Sequence, residues 1–245
     1  MKRIFIQLIL IQFLSVSLYS QTLLDAVDAK NYEQVEQLIK SGEKVNKANK
    51  TGHFALWVAV WNGDTKMVEL LLKNGADAEQ KFKGKEFKSS CMSVAAQEGH
   101  LEITKLLAAA GADVDERGFK GHTPLRVAAR NGHLELVKFF ISKGCEINSQ
   151  GEDGATPLEH AASKGHLDIV KALVESGADI NLQDKERDFA LGEAAKAGFI
   201  EVVSYLLSKG ADLSLKNQDG NNALELARLA GQPKIAELIR SKMGD

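Results

Sequence analysis

The chain has 245 residues, 44% of them apolar and 26% charged, with 31 basic against 33 acidic side chains. That length suits one or two globular domains, and the near-balanced charge lacks the strongly basic signature of a nucleic-acid binder. Cys91 and Cys145 are the only cysteines, too few for a disulfide framework.

Residues 1–20, MKRIFIQLILIQFLSVSLYS, stand apart from the rest of the chain. Lys2 and Arg3 open it, Ile4 to Leu14 is apolar apart from Gln7 and Gln12, and Ser15, Ser17 and Ser20 come next. This is the layout of a secretory signal peptide, with cleavage after Ser20 or, alternatively, Ser17. A retained membrane anchor is the other reading, although about 20 apolar residues are needed to span a bilayer. No cysteine stands directly after the apolar run, which argues against a lipoprotein. The expected destination is the periplasm of a Gram-negative bacterium, or secretion. Lys2 and Arg3 leave with the peptide, so 29 basic residues remain against 33 acidic ones.

From Thr22 onward one pattern recurs. Gly121–Asn148, GHTPLRVAARNGHLELVKFFISKGCEIN, returns 33 residues later as Gly154–Asn181, GATPLEHAASKGHLDIVKALVESGADIN. A closing glycine falls at Gly42, Gly75, Gly111, Gly144, Gly177 and Gly210. A fixed period of this length signals a repeat array, with units at about 22–46, 47–79, 80–115, 116–148, 149–181, 182–214 and 215–245. Residues 21–245 are therefore expected to form one elongated repeat domain.

Taken in order, the first unit carries Leu23, Leu24, Ala26 and Val27 on one helix and Val35, Leu38 and Ile39 on the next. Asp28, Lys30, Asn31 and Glu33 give it the polar outer face of a cap. The second has Phe54-Ala55 in place of Thr-Pro, and the third has Ser90-Cys91-Met92 in place of Thr-Pro-Leu. The third also has three extra residues, which counting places in its turn, within Glu79–Ser89. In the fourth, Thr123 is placed to cap a helix whose first turn holds Pro124, where a missing N–H costs nothing. Leu125, Ala128 and Ala129 supply an apolar stripe, and Gly132 ends the helix. Leu134, Leu136, Val137, Phe140 and Ile141 face a second helix inward. The sixth unit has Arg187 where a glycine is usual, which puts its turn geometry in question. The last carries Lys234, Glu237, Arg240 and Lys242 on its second helix, a solvated C-terminal cap.

Gly121-His-Thr-Pro-Leu125, Ala128-Ala129, Gly132-His133 and Gly144, with their counterparts at Gly154-Ala-Thr-Pro-Leu158, Ala161-Ala162, Gly165-His166 and Gly177-Ala-Asp179, resemble the ankyrin repeat family. The resemblance covers about seven units. It implies an α solenoid of stacked helix-turn-helix units with short hairpin-like turns, and protein binding as the usual role. No unit can bury its apolar faces alone, so stacking must supply the core. The fold presents a surface and does not name a partner.

Residues with catalytic potential fall on repeat positions. His100, His133 and His166 form one column. Stacked helices lie about 8–10 Å apart, whereas zinc ligands all sit near about 2 Å from one ion. These histidines are therefore read as partners of neighbouring loop carbonyls, and no metal or other cofactor is expected. Cys91 and Cys145 are read as buried thiols at small-residue positions. Glu102, Glu135, Asp168 and Glu201 recur once per unit, as helix-surface residues do. There is no phosphate loop and no nucleophile elbow, so no enzyme is expected.

What remains is a surface. The third and fourth turns are basic and aromatic: Lys81, Phe82, Lys83, Lys85, Phe87 and Lys88, then Arg117, Phe119 and Lys120. The outer column of the first helices reads Asp28, Trp61, Gln97, Arg130, Ser163, Lys196 and Leu229, with Trp57 one turn before Trp61. Aromatic and arginine side chains are the usual anchors of protein interfaces. The sequence thus points to a non-catalytic, exported, monomeric protein-binding module whose partner carries an acidic patch, with no nucleic acid or small-molecule substrate. The competing readings of the residues are solvated lysines, Phe82 and Phe87 folded over the insertion, and Trp57 packed beneath the first turn. The competing roles are an accessory or protective factor for a periplasmic enzyme and a membrane-tethered scaffold.

Overall fold

The computed structural model describes residues 22–83 and 88–244. Residues 1–20, and with them the leader reading, lie outside the described residues, as does Phe87. The described chain forms two compact units, one ending at Asp77 and one beginning at Ala78.

The first unit holds two helix pairs, α1 (Leu23–Asp28) with α2 (Tyr32–Lys40) and α3 (Ala55–Trp61) with α4 (Thr65–Lys73). Thr22 starts α1 through a reciprocal capping box with Asp25, which supplies two of the helix's orphan N–H groups with acceptors. Asn31 and Asp64 cap α2 and α4 by accepting from Gln34 N and Met67 N. The α1 and α3 faces meet around Ala26, Val27, Leu56, Ala59 and Val60, all buried. Phe54, which replaces the usual capping residue, makes no side-chain cap and is buried instead.

The second unit begins with a short antiparallel hairpin, β1 (Lys81–Lys83) paired to β2 (Lys88–Ser90), at the site of the three-residue insertion. Five helix pairs come after it: α5 (Cys91–Glu98) and α6 (Leu101–Ala109), α7 (Pro124–Asn131) and α8 (Leu134–Ser142), α9 (Pro157–Ser163) and α10 (Leu167–Glu175), α11 (Ala190–Ala197) and α12 (Ile200–Ser208), α13 (Ala223–Leu229) and α14 (Pro233–Met243). The first helices stack in the order α5, α7, α9, α11, α13, and the second helices stack behind them. Alanine pairs at 95–96, 128–129, 161–162 and 194–195 are all 0% exposed, which lets the first helices approach closely. The second layer is filled by Ile103, Leu107, Leu136, Phe140, Ile169, Leu173, Val202 and Leu206.

Each turn closes on itself and on its neighbour. Gly118 N donates to His122 O, Asp184 N to Asp188 O and Asn217 N to Asn221 O, all at 3.0 Å. Between successive units, Asp179 N donates to Asn148 Oδ1 and Asp212 N to Asn181 Oδ1, both at 2.9 Å. Arg187 resolves the question raised by its place at a glycine position. Its φ is +60°, so the arginine takes the left-handed conformation itself and the turn is preserved.

Candidate partner-docking surface

Two histidines of the column, His133 and His166, have the structural role expected of them. His133 Nε2 lies 2.9 Å from Gln97 O, and His166 Nε2 lies 3.2 Å from Arg130 O. Each ring rests on the left-handed glycine of the preceding unit, Gly99 and Gly132, where a β-carbon would collide with it. Among the described residues no group of three or more His, Cys, Asp or Glu side chains is arranged to hold a metal. Both cysteines are buried and neither forms a disulfide, and burial pushes the Cys145 thiol up to about 12, with Asp115 adding to the shift.

In the first unit, Trp57 and Trp61 stack one turn apart on α3, with ring centroids at 5.3 Å and planes 16° apart. His53 meets Trp57 edge-on at 5.0 Å. Trp57 is half-buried by this arrangement, while Trp61 is 50% exposed. The offset stacking fixes the orientation of the exposed Trp61 ring against Trp57.

The turns of the second unit are less open than a basic strip would be. Phe82 is half-buried on β1, and Lys81 pairs with the buried Glu116 at 3.6 Å. Lys83 and Lys88 end and begin the two strands, but their side chains lie outside the described residues. Arg117 is already engaged: Nη2 meets Glu146 Oε2 at 2.8 Å and Nη1 donates to Gln150 O at 2.9 Å. Its guanidinium ties one turn to the next. Phe119 is 46% exposed and Lys120 Nζ stands 5.6 Å from its ring centroid. Lys120 takes φ +54°, and its carbonyl accepts from Glu152 N at 2.8 Å, so the tip is fixed to the following turn. Among the described side chains of these turns, Phe119 and Lys120 are therefore the most exposed pair.

Arg130 lies exposed on α7 at the edge of a cleft of about 350 Å³. The same cleft is walled by Gln97, His122, Arg126, Asn131 and His160. Arg126 is 1% exposed, and its Nη2 pairs with Asp153 Oδ2. Thr123 caps the helix below it by accepting from Arg126 N. Arg126 and His160 are not among the residues that sequence reasoning assigns to a surface, yet the sequence carries a signal for them. The first-helix position that holds Arg126 reads Leu24, Trp57, Ser93, Arg126, Glu159, Gly192 and Glu225 across the units, and the next position reads Asp25, Val58, Val94, Val127, His160, Glu193 and Leu226.

Geometrically, this is a repeat protein built of stacked antiparallel helix pairs joined by short turns. The ankyrin repeat family model, described as ankyrin repeats in three copies, matches residues 23–118, 92–184 and 177–245, and the chain belongs to that family. It is similar to Ankyrin repeat and SOCS box protein 3 of Homo sapiens, 29% identical over 96 residues, which are 39% of this chain and 18% of that protein. It is also similar to the Nuclear factor NF-kappa-B p105 subunit of Gallus gallus, 35% identical over 109 residues, 44% of this chain and 11% of that protein. A third likeness is to the Inactive serine/threonine-protein kinase TEX14 of Bos taurus, 35% identical over 95 residues, 38% of this chain and 6% of that protein. The matches thus span less than a fifth of each relative. Ankyrin repeats are generally protein–protein interaction modules and typically non-catalytic.

Proposed function

We propose that this chain is an exported, non-catalytic protein-binding module that docks a protein partner through its first helices and turn tips. The observation that carries this reading is the Trp57–Trp61 stack, which leaves Trp61 half exposed on an otherwise well-packed helix. A rigid aromatic presented this way gives up little conformational entropy on binding. Phe119 with Lys120 supplies a second contact of the same kind on the second unit. Positive charge at Lys120 and Arg130, neither in an ion pair among the described residues, favours a partner with an acidic patch, since complementary fields speed encounter.

The test is a pull-down from cell-envelope extracts of the native cells. The full chain, tagged at its C-terminus, is run beside Trp61→Ala and Phe119→Ala. A protein held by the native chain and lost by either variant is the expected result. A chain that retains nothing, or variants that retain the same protein equally, would overturn the surface. Fractionation with N-terminal sequencing tests export: a mature chain starting at Gln21 in the periplasm is expected. A full-length chain in the cytosol sinks the export reading, and one in the membrane fraction replaces it with a tethered scaffold.

A further inference from the structure

The cleft beside Arg130 has a chemistry that neither the repeat fold nor its turns require. Its polar walls are two arginines, two histidines and two amides, with no carboxylate among them. Arg126 lies in its wall with only one of its three nitrogens engaged: Nη2 meets Asp153, while Nε and Nη1 have no hydrogen-bond partner. His160 Nε2 is buried in the same condition. A charged donor in low dielectric with unused N–H groups is costly to leave unmet. The fold nevertheless makes specific room for it. Gly151 lies against the guanidinium, and any side chain there would collide with Arg126. Arg130, at the rim, is exposed and has no ion pair among the described residues.

We infer that this cleft seats the carboxylate of an aspartate or glutamate side chain presented by the protein partner, with Arg130 as its ion-pair partner at the mouth and Arg126 and His160 as donors in the wall. This deepens the partner-binding reading and rests on it. The volume of about 350 Å³ admits one side chain and not a folded surface. The local field has the right sign. Burial first, then Arg126 and Arg130, push the protonation of His160 down, with Asp153 opposing them. The frame is rigid, because Asn131 Nδ2 donates to Gln97 O at 3.0 Å and so fixes α7 to α5 at the cleft edge. Folding has already removed water from Arg126, so an arriving carboxylate gains donors whose desolvation is complete.

The experiment is an NMR titration of the full chain with N-acetylglutamate, following the His122 and His160 ring protons and the Arg130 side chain. N-acetylglutamine, its neutral isostere, and inorganic phosphate are run in parallel. Saturable shifts with N-acetylglutamate, none with N-acetylglutamine, and weaker binding of phosphate are expected. Arg130→Gln should weaken the carboxylate by about tenfold, since a charge-assisted hydrogen bond is lost. His122→Gln, at a second and half-buried wall position, checks that the effect is local, and both variants are compared with the native chain by thermal melting. No saturable shift, equal shifts with the neutral isostere, stronger binding of phosphate, or an unaltered Arg130→Gln would each overturn the inference. If the native chain captures a partner while its cleft ignores N-acetylglutamate, this inference fails alone. If it captures none, the binding role fails and the assigned occupant with it.

Discussion

Glu159 and His160 are neighbours in sequence, yet burial drives their protonation in opposite senses. Burial, reinforced by Asp184, Glu193, Asp188 and Asp153, pushes the Glu159 carboxyl up to about 8. Burial, reinforced by Arg126 and Arg130, takes His160 down to about 4. Between pH 4.5 and about 8 the folded chain keeps a proton on Glu159 that the unfolded chain releases, so rising pH removes stability there. Between about 4 and 6.5 the unfolded chain takes a proton on His160 that the folded chain refuses, so there stability is lost as pH falls. The two oppose each other where the windows overlap, and above pH 6.5 only Glu159 of the pair still titrates. Glu159→Gln should therefore leave stability near pH 5 little altered and raise it at pH 8 by about 1–3 kcal/mol. Denaturant unfolding at the two pH values measures this; an equal change at both would show that Glu159 ionises normally. Cys145 gives a second test at this scale. With its thiol pushed up to about 12 and buried, it should resist iodoacetamide at pH 8 in the folded chain and react once the chain is unfolded.

At the scale of the element, the second helices show how far the repeat pattern reaches. The position occupied by Val68, Val137, Val170 and Val203 is occupied in α6 by Thr104, and all five are 0% exposed. Thr104 Oγ1 donates to His100 O at 2.9 Å, one helical turn back, which gives the buried hydroxyl a partner already held by the backbone. Thr104→Val restores the pattern and should stabilise the fold by about 1 kcal/mol, read as a rise in melting temperature. The helices, their caps and their order are legible in the sequence because each obeys a local rule repeated every 33 residues. Thr123 and Thr156 cap as their Thr-Pro context requires. Pairing that local rules leave open is not legible. Arg117 reads as a free tip charge, but Glu146, 29 residues on, holds it. Nothing in the local pattern marks Arg126 as buried; Gly151, 25 residues on, leaves the space its guanidinium occupies. Arg187 leaves its turn geometry in question in the sequence, because no pattern shows that a side chain will accept φ +60°. That acceptance has a cost, and Arg187→Gly should stabilise the turn by about 0.5–1 kcal/mol, the typical penalty for a side chain in the left-handed region less the added freedom of the unfolded glycine.

At the scale of the second unit as a body, stacking makes stability a sum of helix pairs and the contacts between neighbours. Successive pairs lean on one another through recurring joints: a ring on a glycine at Gly99, Gly132 and Gly165, an asparagine accepting from the next turn at Asn148 and Asn181, and buried alanines between the first helices. A defect should therefore act according to its place in the stack. Phe140, 0% exposed at the centre of α8, is bordered by a pair on each side. Phe140→Ala opens a void costing about 3–5 kcal/mol, and its pair serves as a support for both neighbours. Ile239, 1% exposed in α14, belongs to the terminal pair and supports only the pairs before it. Hydrogen exchange resolves the difference. Ile239→Ala should lose amide protection over α13 and α14 while α7 to α10 keep theirs. Phe140→Ala should lose protection across α5 to α14 together. If both variants lose protection uniformly, the unit is one cooperative body, and neighbour contacts do not set its local stability. If the terminal variant alone frays, then the C-terminal pair opens independently of the Arg130 cleft, and the candidate docking surface on α7 and α9 sits in the part of the stack that is held from both sides.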